Sequence, residues 1–395
     1  MSQTVGELSL PKPSNRVPSI DILRGIIMVV MALDHTRDYF SGFGGDPLDF
    51  HHASVIMFFT RWITHFCAPV FVFLSGASAF LSLNRGKTKK QASWTLFTRG
   101  VWLIILEVTI LRFGWAFNLD YHRVFVQVIW AIGWSMIFLS VLIWLPEIWI
   151  AIIGGIIVLG HNLFDRIKPM DTAHPTLWKV LHAQGSWKYG DHYTYSIGFY
   201  YPLIPWIGVM ALGYCFGRIL LKPAAERNKW LYRIGLSAIV GFIVLRFSNL
   251  YGNPNPWHHQ DSHLNTLLDF IRCQKYPPSL LYLLMTIGPA ITAMPLLDKL
   301  NNGIGRFFTV YGRVPLFYYI LHIYTIHGLA LITGLAMGFP ISEFTSSMFQ
   351  HSQGWGFSLP IVYLYWAMAV LILYLPCRWY MRIKMQYRKW WMGYL

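Results

Sequence analysis

Ten apolar stretches recur along this chain, near residues 19–40, 61–83, 97–118, 124–144, 147–165, 199–218, 230–250, 277–297, 306–334 and 358–378. Each is close to the ~20 residues a helix needs to cross a hydrocarbon core. Lipid offers no partner to a free N–H or C=O, so such segments must satisfy their backbone internally, as helices do. The expected fold class is all-α: a polytopic integral membrane helical bundle of about ten transmembrane helices. Composition agrees, because 55% hydrophobic and 12% charged residues leave too little polar surface to wrap a soluble core. The first eighteen residues are polar and hold Pro11, Pro13 and Pro18, and the first apolar stretch carries Asp21, Arg24 and Asp34. No cleavable signal is therefore expected, and the N-terminus should remain attached.

Charge orients the bundle. The basic stretches Asn84-Arg-Gly-Lys-Thr-Lys-Lys90, Leu221 to Lys229 and Arg378 to Lys389 fall on one side of the ten spans. The positive-inside rule makes that side cytoplasmic, with both termini inside and the loops near 41–60, 166–198, 251–276 and 335–357 outside. The expected organisation is a polar N-terminal segment at 1–18, a transmembrane domain at 19–378 and a basic tail at 379–395. A net charge of +15 then reports topology and anionic-lipid contact, and a nucleic-acid partner is not expected. The expected location is a bacterial inner membrane. All fifteen histidines, His351 included, fall in outer halves or outer loops. Long outer loops explain that asymmetry as well as outer-side proton chemistry does. Cys67, Cys215, Cys273 and Cys377 are scattered and suggest neither a disulfide nor a Cys-based metal site. No repeat, phosphate loop or separable soluble domain stands out.

The ionisable residues inside the spans are the candidate site, since each costs several kcal/mol in lipid unless it faces protein or water. Arg24 and His35 are eleven residues apart, which puts them on one helix face roughly 16 Å apart. Asp38 follows His35 at i+3 and could hold its imidazole; Asp34 is better placed for Arg37. The same three charges also fit the plain interfacial end of a helix. Asp21 is the i+3 ion-pair candidate for Arg24. Glu107 and Arg112 share the third span but diverge around the helix, so their partners are expected on other helices. Arg313, His322 and His327 recur in the ninth, where Gly312-Arg-Val-Pro315 reads as a kinked start. His322 is expected to face the cavity, against a hydrogen-bonded core histidine as the alternative. Lys275 could meet an acidic ligand or simply anchor at the membrane edge.

Two outer loops are ambiguous. Trp257-His-His-Gln-Asp-Ser-His263 has ligand-like spacing, but no metal is favoured, because no other Cys or His pattern is tied to it. Trp178, Trp187, Tyr189, Tyr193, Tyr195, Tyr200 and Tyr201 suit sugar stacking and an interfacial aromatic belt equally.

Several motifs carry a resemblance over nearly the whole chain: Ser19-Ile-Asp-Ile-Leu-Arg-Gly25, His51-His-Ala-Ser54, Ala68-Pro-Val-Phe-Val-Phe-Leu-Ser-Gly76, Lys275-Tyr-Pro-Pro-Ser279 and Gly312 to His322. Together they resemble the bacterial relatives of heparan-alpha-glucosaminide N-acetyltransferase. The Arg24 to His35 spacing also resembles the motif of the broader transmembrane acyltransferase superfamily, whose members O-acetylate bacterial surface polysaccharides. The resemblance implies transfer of an acyl group, acetyl first among them, from cytoplasmic acetyl-CoA or another acyl-CoA to an amine or hydroxyl of an outer-side glycan or small-molecule acceptor. The family's lysosomal enzyme has a catalytic His in the segment matching His52-Ala-Ser54 and an Asn where this chain has His35, so the base is either His35 or His52. Arg24 suits coenzyme A phosphates, because guanidinium grips phosphate bidentately. The face joining Arg24, Met28, Met31 and His35 could line a slot for the pantetheine arm, or simply pack. The competing class is a proton-coupled transporter of a small anion or lipid-linked sugar, although no matching halves with interrupted helices are seen. A homodimer is left open.

Overall fold

The computed structural model describes residues 17–346, 354–387 and 389–394. The expectation for His351 lies outside them. α1 (Pro18–Phe40) starts on a proline, the residue that needs no N–H partner at a first turn. α2 (Val55–Ile63) is capped by Ser54, whose hydroxyl accepts the Met57 N–H at 3.2 Å, and runs through a tight turn into α3 (Cys67–Leu83). A reciprocal Thr88–Gln91 capping box opens α4 (Lys89–Leu106), which passes through a π-helical turn at Glu107–Leu111 into α5 (Arg112–Ala116). Strand β1 (Arg123–Val126) leads to α6 (Val128–Leu142) and α7 (Glu147–Gly160). The next loop holds α8 (Pro175–Leu181), β2 (Gly185–Tyr189) and β3 (Tyr195–Phe199). Then come α9 (Leu203–Leu220), α10 (Ala224–Ser248), α11 (His263–Ile271) and α12 (Leu280–Leu297). α13 (Gly303–Arg313) and α14 (Pro315–Ala336) meet at a break where Pro315 cannot continue the hydrogen-bond ladder. α15 (Ser342–Thr345) and α16 (Leu359–Gln386) complete the order.

Eight of these helical segments are long and apolar enough to cross a membrane. Two more traverse the same depth. α1 has 23 residues but carries Asp21, Arg24, Asp34, Arg37 and Asp38. Its start is tied to the end of α12, where the Ser19 N–H donates to Asp298 at 2.9 Å, and its end pairs Ser41 with Phe357 just before α16. α6 is apolar and 15 residues long. It begins beside β1, which pairs with the strand leading into α9, and it ends near Glu147, which faces Arg218 at the far end of α9 at 3.5 Å. The protein is an all-α polytopic membrane bundle, with eight helices among the described residues that meet the length and apolarity of a span.

Small residues set how closely the helices cross. A Cβ on Gly25 would lie 1.8 Å from the Phe308 carbonyl oxygen, and one on Gly312 would lie 1.8 Å from that of Asp21, so α1 and α13 touch backbone to backbone. The α3–α9 crossing is built the same way from Gly76 and Gly213.

Three details differ from the apolar pattern. The second and third traverses begin earlier, at Val55 and Lys89: the apolar run Val55-Ile-Met-Phe-Phe59 ahead of position 61 is already helical, and the third opens on a polar cap and first turn that hydropathy does not see. Residues 124–126, expected to open a span, are strand. They join a small sheet of order β1-β3-β2, with β1 parallel and β2 antiparallel to β3. α16 continues past 378 to Gln386, and a turn at Trp390–Gly393 then folds back onto α4.

Candidate active site

α1 delivers its ionisable face to the centre of the bundle. His35 Nδ1 lies 2.6 Å from His322 Nε2 on α14, with the rings stacked at 4.9 Å. His322 is fully buried, and its Nδ1 lies 3.2 Å from the Tyr318 carbonyl. A carbonyl only accepts, so His322 carries its proton on Nδ1 and presents a lone pair at Nε2. His35 must then donate from its own Nδ1. Its Nε2, without a hydrogen-bond partner among the described residues, is left as the open lone pair. Aromatic edges fix the pair: Trp115 meets His35 at 4.8 Å, and Tyr319 meets His35 at 6.3 Å and His322 at 5.2 Å.

His322 therefore replaces Asp38 as the group that orients the catalytic candidate. Asp38 accepts from Arg37 at 2.5 Å, while Arg37 bridges back to Asp34 at 2.8 Å as the i+3 spacing suggested. Arg61 of α2 also pairs with Asp34. His52 stands apart in the loop before α2. Its imidazole pairs with Asp49 at 2.6 Å and is 79% exposed, and that hydrogen bond holds the Asp49 carboxyl below the usual range.

Between α1 and the basic end of the bundle lies a cavity of about 280 Å³. Arg24, Lys87, Arg99, Arg313 and Lys384 line it together with Met28, Ser75 and Ser78, and among the described residues no Asp or Glu lines it. Its lining also includes Tyr319, the residue whose ring edge meets both histidines. Neither His35 nor Met31 lines it, so the expected slot stops one residue layer short of the pair. Arg24 is held by α3, donating to the Leu74 carbonyl at 3.0 Å and to Ser78. Asp21 accepts from Arg313 at 3.4 Å, which makes it a support for the cavity's cations rather than a ligand for an anion. Burial and the Arg99 cation push the Lys87 ammonium below the usual lysine range. Gly393 and Tyr394 also line the cavity, their carbonyls accepting from Arg99 and, at 3.1 Å, from Trp102.

The remaining candidates have local partners. Glu107 is buried and accepts the Gln127 N–H at 2.8 Å, capping α6. Arg112 was expected to reach another helix; instead it turns to its own following loop, donating to the carbonyl and side chain of Asn118 at 2.8 Å and to Asp120. The break after α5 brings those acceptors within reach. His327 is a core histidine held by the carbonyls of Gly114 at 2.8 Å and Phe344 at 2.7 Å. The loop 257–263 wraps around Asp269, which accepts from His258 and Gln260. Sequence reasoning missed Lys87, Arg99 and Lys384 as cavity residues, since each reads as ordinary positive-inside charge. It also missed Tyr319 and Trp115, which look like any apolar-face aromatic.

Residues 16–246 match the family described as heparan-alpha-glucosaminide N-acetyltransferase, catalytic. The chain belongs to that family. The matched region contains Arg24, His35, Asp38, His52 and Glu107, whereas Lys275, Arg313 and His322 lie beyond it. Among curated proteins none matches the chain. Family and fold together make it an integral membrane protein of an acetyltransferase family.

Proposed function

We propose that this protein transfers an acyl group, acetyl first among them, from acyl-CoA to an amine or hydroxyl of a glycan-like acceptor on the opposite side of the membrane. One observation carries the reading: a cavity lined by five cations ends at Tyr319, against the buried His35–His322 pair. Coenzyme A is a polyanion at one end and a thioester at the other, and this arrangement has a counterpart for each. The basic cavity end faces the cytoplasm under the positive-inside rule, with both termini on that side, and the membrane is the cytoplasmic membrane of a bacterium.

Arg24, Lys87, Arg99, Arg313 and Lys384 bind the phosphates, and the thioester carbon is presented at the histidine pair. His35 Nε2 removes the acceptor proton as the acceptor nitrogen or oxygen attacks the acyl carbon. His322 keeps the opposite nitrogen protonated and shares the charge that develops on His35. The C–S bond then breaks, and the coenzyme A thiolate leaves into the cavity, taking up a proton from the imidazolium.

Purified protein supplied with acetyl-CoA and an amino sugar tests this by release of the free thiol. Replacing His35 with Ala should lower kcat by about 10²–10⁴, the usual worth of a positioned base, and His52→Ala by less than about tenfold. The reverse order would move the base to His52, and uptake of either compound without thiol release would replace the enzyme with a transporter.

A further inference from the structure

The cavity assigned to the acyl donor already holds part of the chain. Beyond α16 the backbone reverses: the Lys389 N–H donates to the Tyr387 carbonyl at 2.9 Å and the Met392 N–H to the Lys389 carbonyl at 3.2 Å. The turn at Trp390–Gly393 then lies along α4, with Met392 only 4% exposed. Three hydrogen bonds to α4 hold it there. Arg99 donates to the Gly393 carbonyl, Trp102 Nε1 donates to the Tyr394 carbonyl at 3.1 Å, and the hydroxyls of Thr98 and Tyr394 meet at 2.8 Å. Gly393 and Tyr394 line the cavity beside Arg24, Lys87 and Lys384.

These contacts occupy a group that a phosphate would use. Arg99 is one of the five cavity cations, and its guanidinium is bonded to a neutral main-chain oxygen. A phosphate brings full opposite charge and a second oxygen for the guanidinium fork, and a carbonyl has neither. The carbonyl therefore holds Arg99 only while no phosphate competes for it. The attachment also suits displacement. Releasing the segment breaks three hydrogen bonds to a single helix and exposes Met392, without parting one membrane helix from another.

We propose that residues 390–394 are a self-bound strap: they fill the basic end of the empty cavity, and the phosphates of the arriving acyl donor displace them from Arg99. The proposal rests on the acyl-transfer reading for the identity of that ligand. It adds a control step, because donor binding becomes a competition against the protein's own backbone.

Calorimetry with coenzyme A compares the purified full chain with one shortened after Gln386. The shortened chain should bind about tenfold or more tightly, the worth of the hydrogen bonds that no longer have to be broken. Thr98→Val removes the hydroxyl that meets Tyr394 from a position outside the cavity lining, so it should tighten binding about twofold or more even if the shortened chain fails to fold. Trypsin gives an independent readout on the full chain: cleavage after Lys389, followed by intact mass, should be slow in the free protein and several-fold faster with saturating coenzyme A. Equal affinities in the full chain and both variants, with cleavage indifferent to coenzyme A, overturn the strap and leave the donor assignment standing. Weaker binding by the shortened chain also overturns it, since the segment would then belong to the binding surface. Folded full chain and Thr98→Val protein that both fail to bind coenzyme A refute the donor assignment instead, and with it the ligand that the strap yields to.

Discussion

His322→Phe probes the one contact on which the chemistry turns. The ring keeps a comparable volume in a fully buried position, but it removes the lone pair at 2.6 Å that accepts the His35 Nδ1 proton. Two costs follow. An N–H left without its buried partner loses about 1–3 kcal/mol of stability. The His35 proton is also free to move to Nε2, which converts the open lone pair into a donor and removes the base. Loss of general-base catalysis is worth about 10²–10⁴ in rate, or about 3–5 kcal/mol of barrier. His322→Gln places an amide oxygen near the position of Nε2, so it should hold the proton on Nδ1 and recover most of the loss. The assay is free-thiol release from acetyl-CoA at saturating acceptor, read as kcat and KM separately, with thermal unfolding in detergent alongside. The expected pattern is a fall in kcat with KM for acetyl-CoA nearly constant, and clear recovery in the glutamine variant. If the phenylalanine variant kept kcat within about threefold, or the glutamine variant were equally dead, His322 would be packing only and the tautomer argument would be wrong.

Other outcomes follow from the same geometry. Arg24→Lys should weaken coenzyme A binding about tenfold by calorimetry, because an ammonium cannot keep the α3 carbonyl and serine while gripping phosphate. Coenzyme A affinity should fall steadily between 0.05 and 0.5 M salt in proportion to the cavity's cations, roughly as expected for a Debye length that shrinks below 10 Å; a flat salt response would mean the phosphates bind elsewhere. Because burial and Arg99 depress the Lys87 ammonium, affinity should begin to drop with rising pH below the ordinary lysine value of about 10.4, and Lys87→Met should remove that early phase. Gly25→Ala drives a methyl into the Phe308 carbonyl and should destabilise the protein by about 1–3 kcal/mol or more, measured as a lowered thermal midpoint.

Much of the architecture was legible in local chemistry. Apolar runs of bilayer length and their basic flanks are properties of short segments, and the helical membrane bundle follows from them, with errors at helix starts such as Val55 and Lys89, at the strand over 124–126 and at the far end of α16. The i+3 pair of Asp34 and Arg37 was legible for the same reason, since both sit on one helix. Asp38 pairs with Arg37, while the His35 ring nitrogen meets a group from another helix, because helical spacing names every neighbour a side chain can reach without ranking them against groups elsewhere in the fold. His322 is 287 positions from His35, and no spacing rule relates them.

By itself, the order of residues determined that this chain must be a helical membrane protein and that Arg24 and His35 share one face of its first helix, because hydrophobic length and helical pitch act within a segment. Only the packed bundle decided which imidazole meets His35 and that five cations from separate segments line one cavity. Those relations depend on where α1, α3, α4, α13, α14 and α16 cross, and the crossings are set by close backbone contacts such as Gly25 on Phe308 that involve residues far apart in the chain.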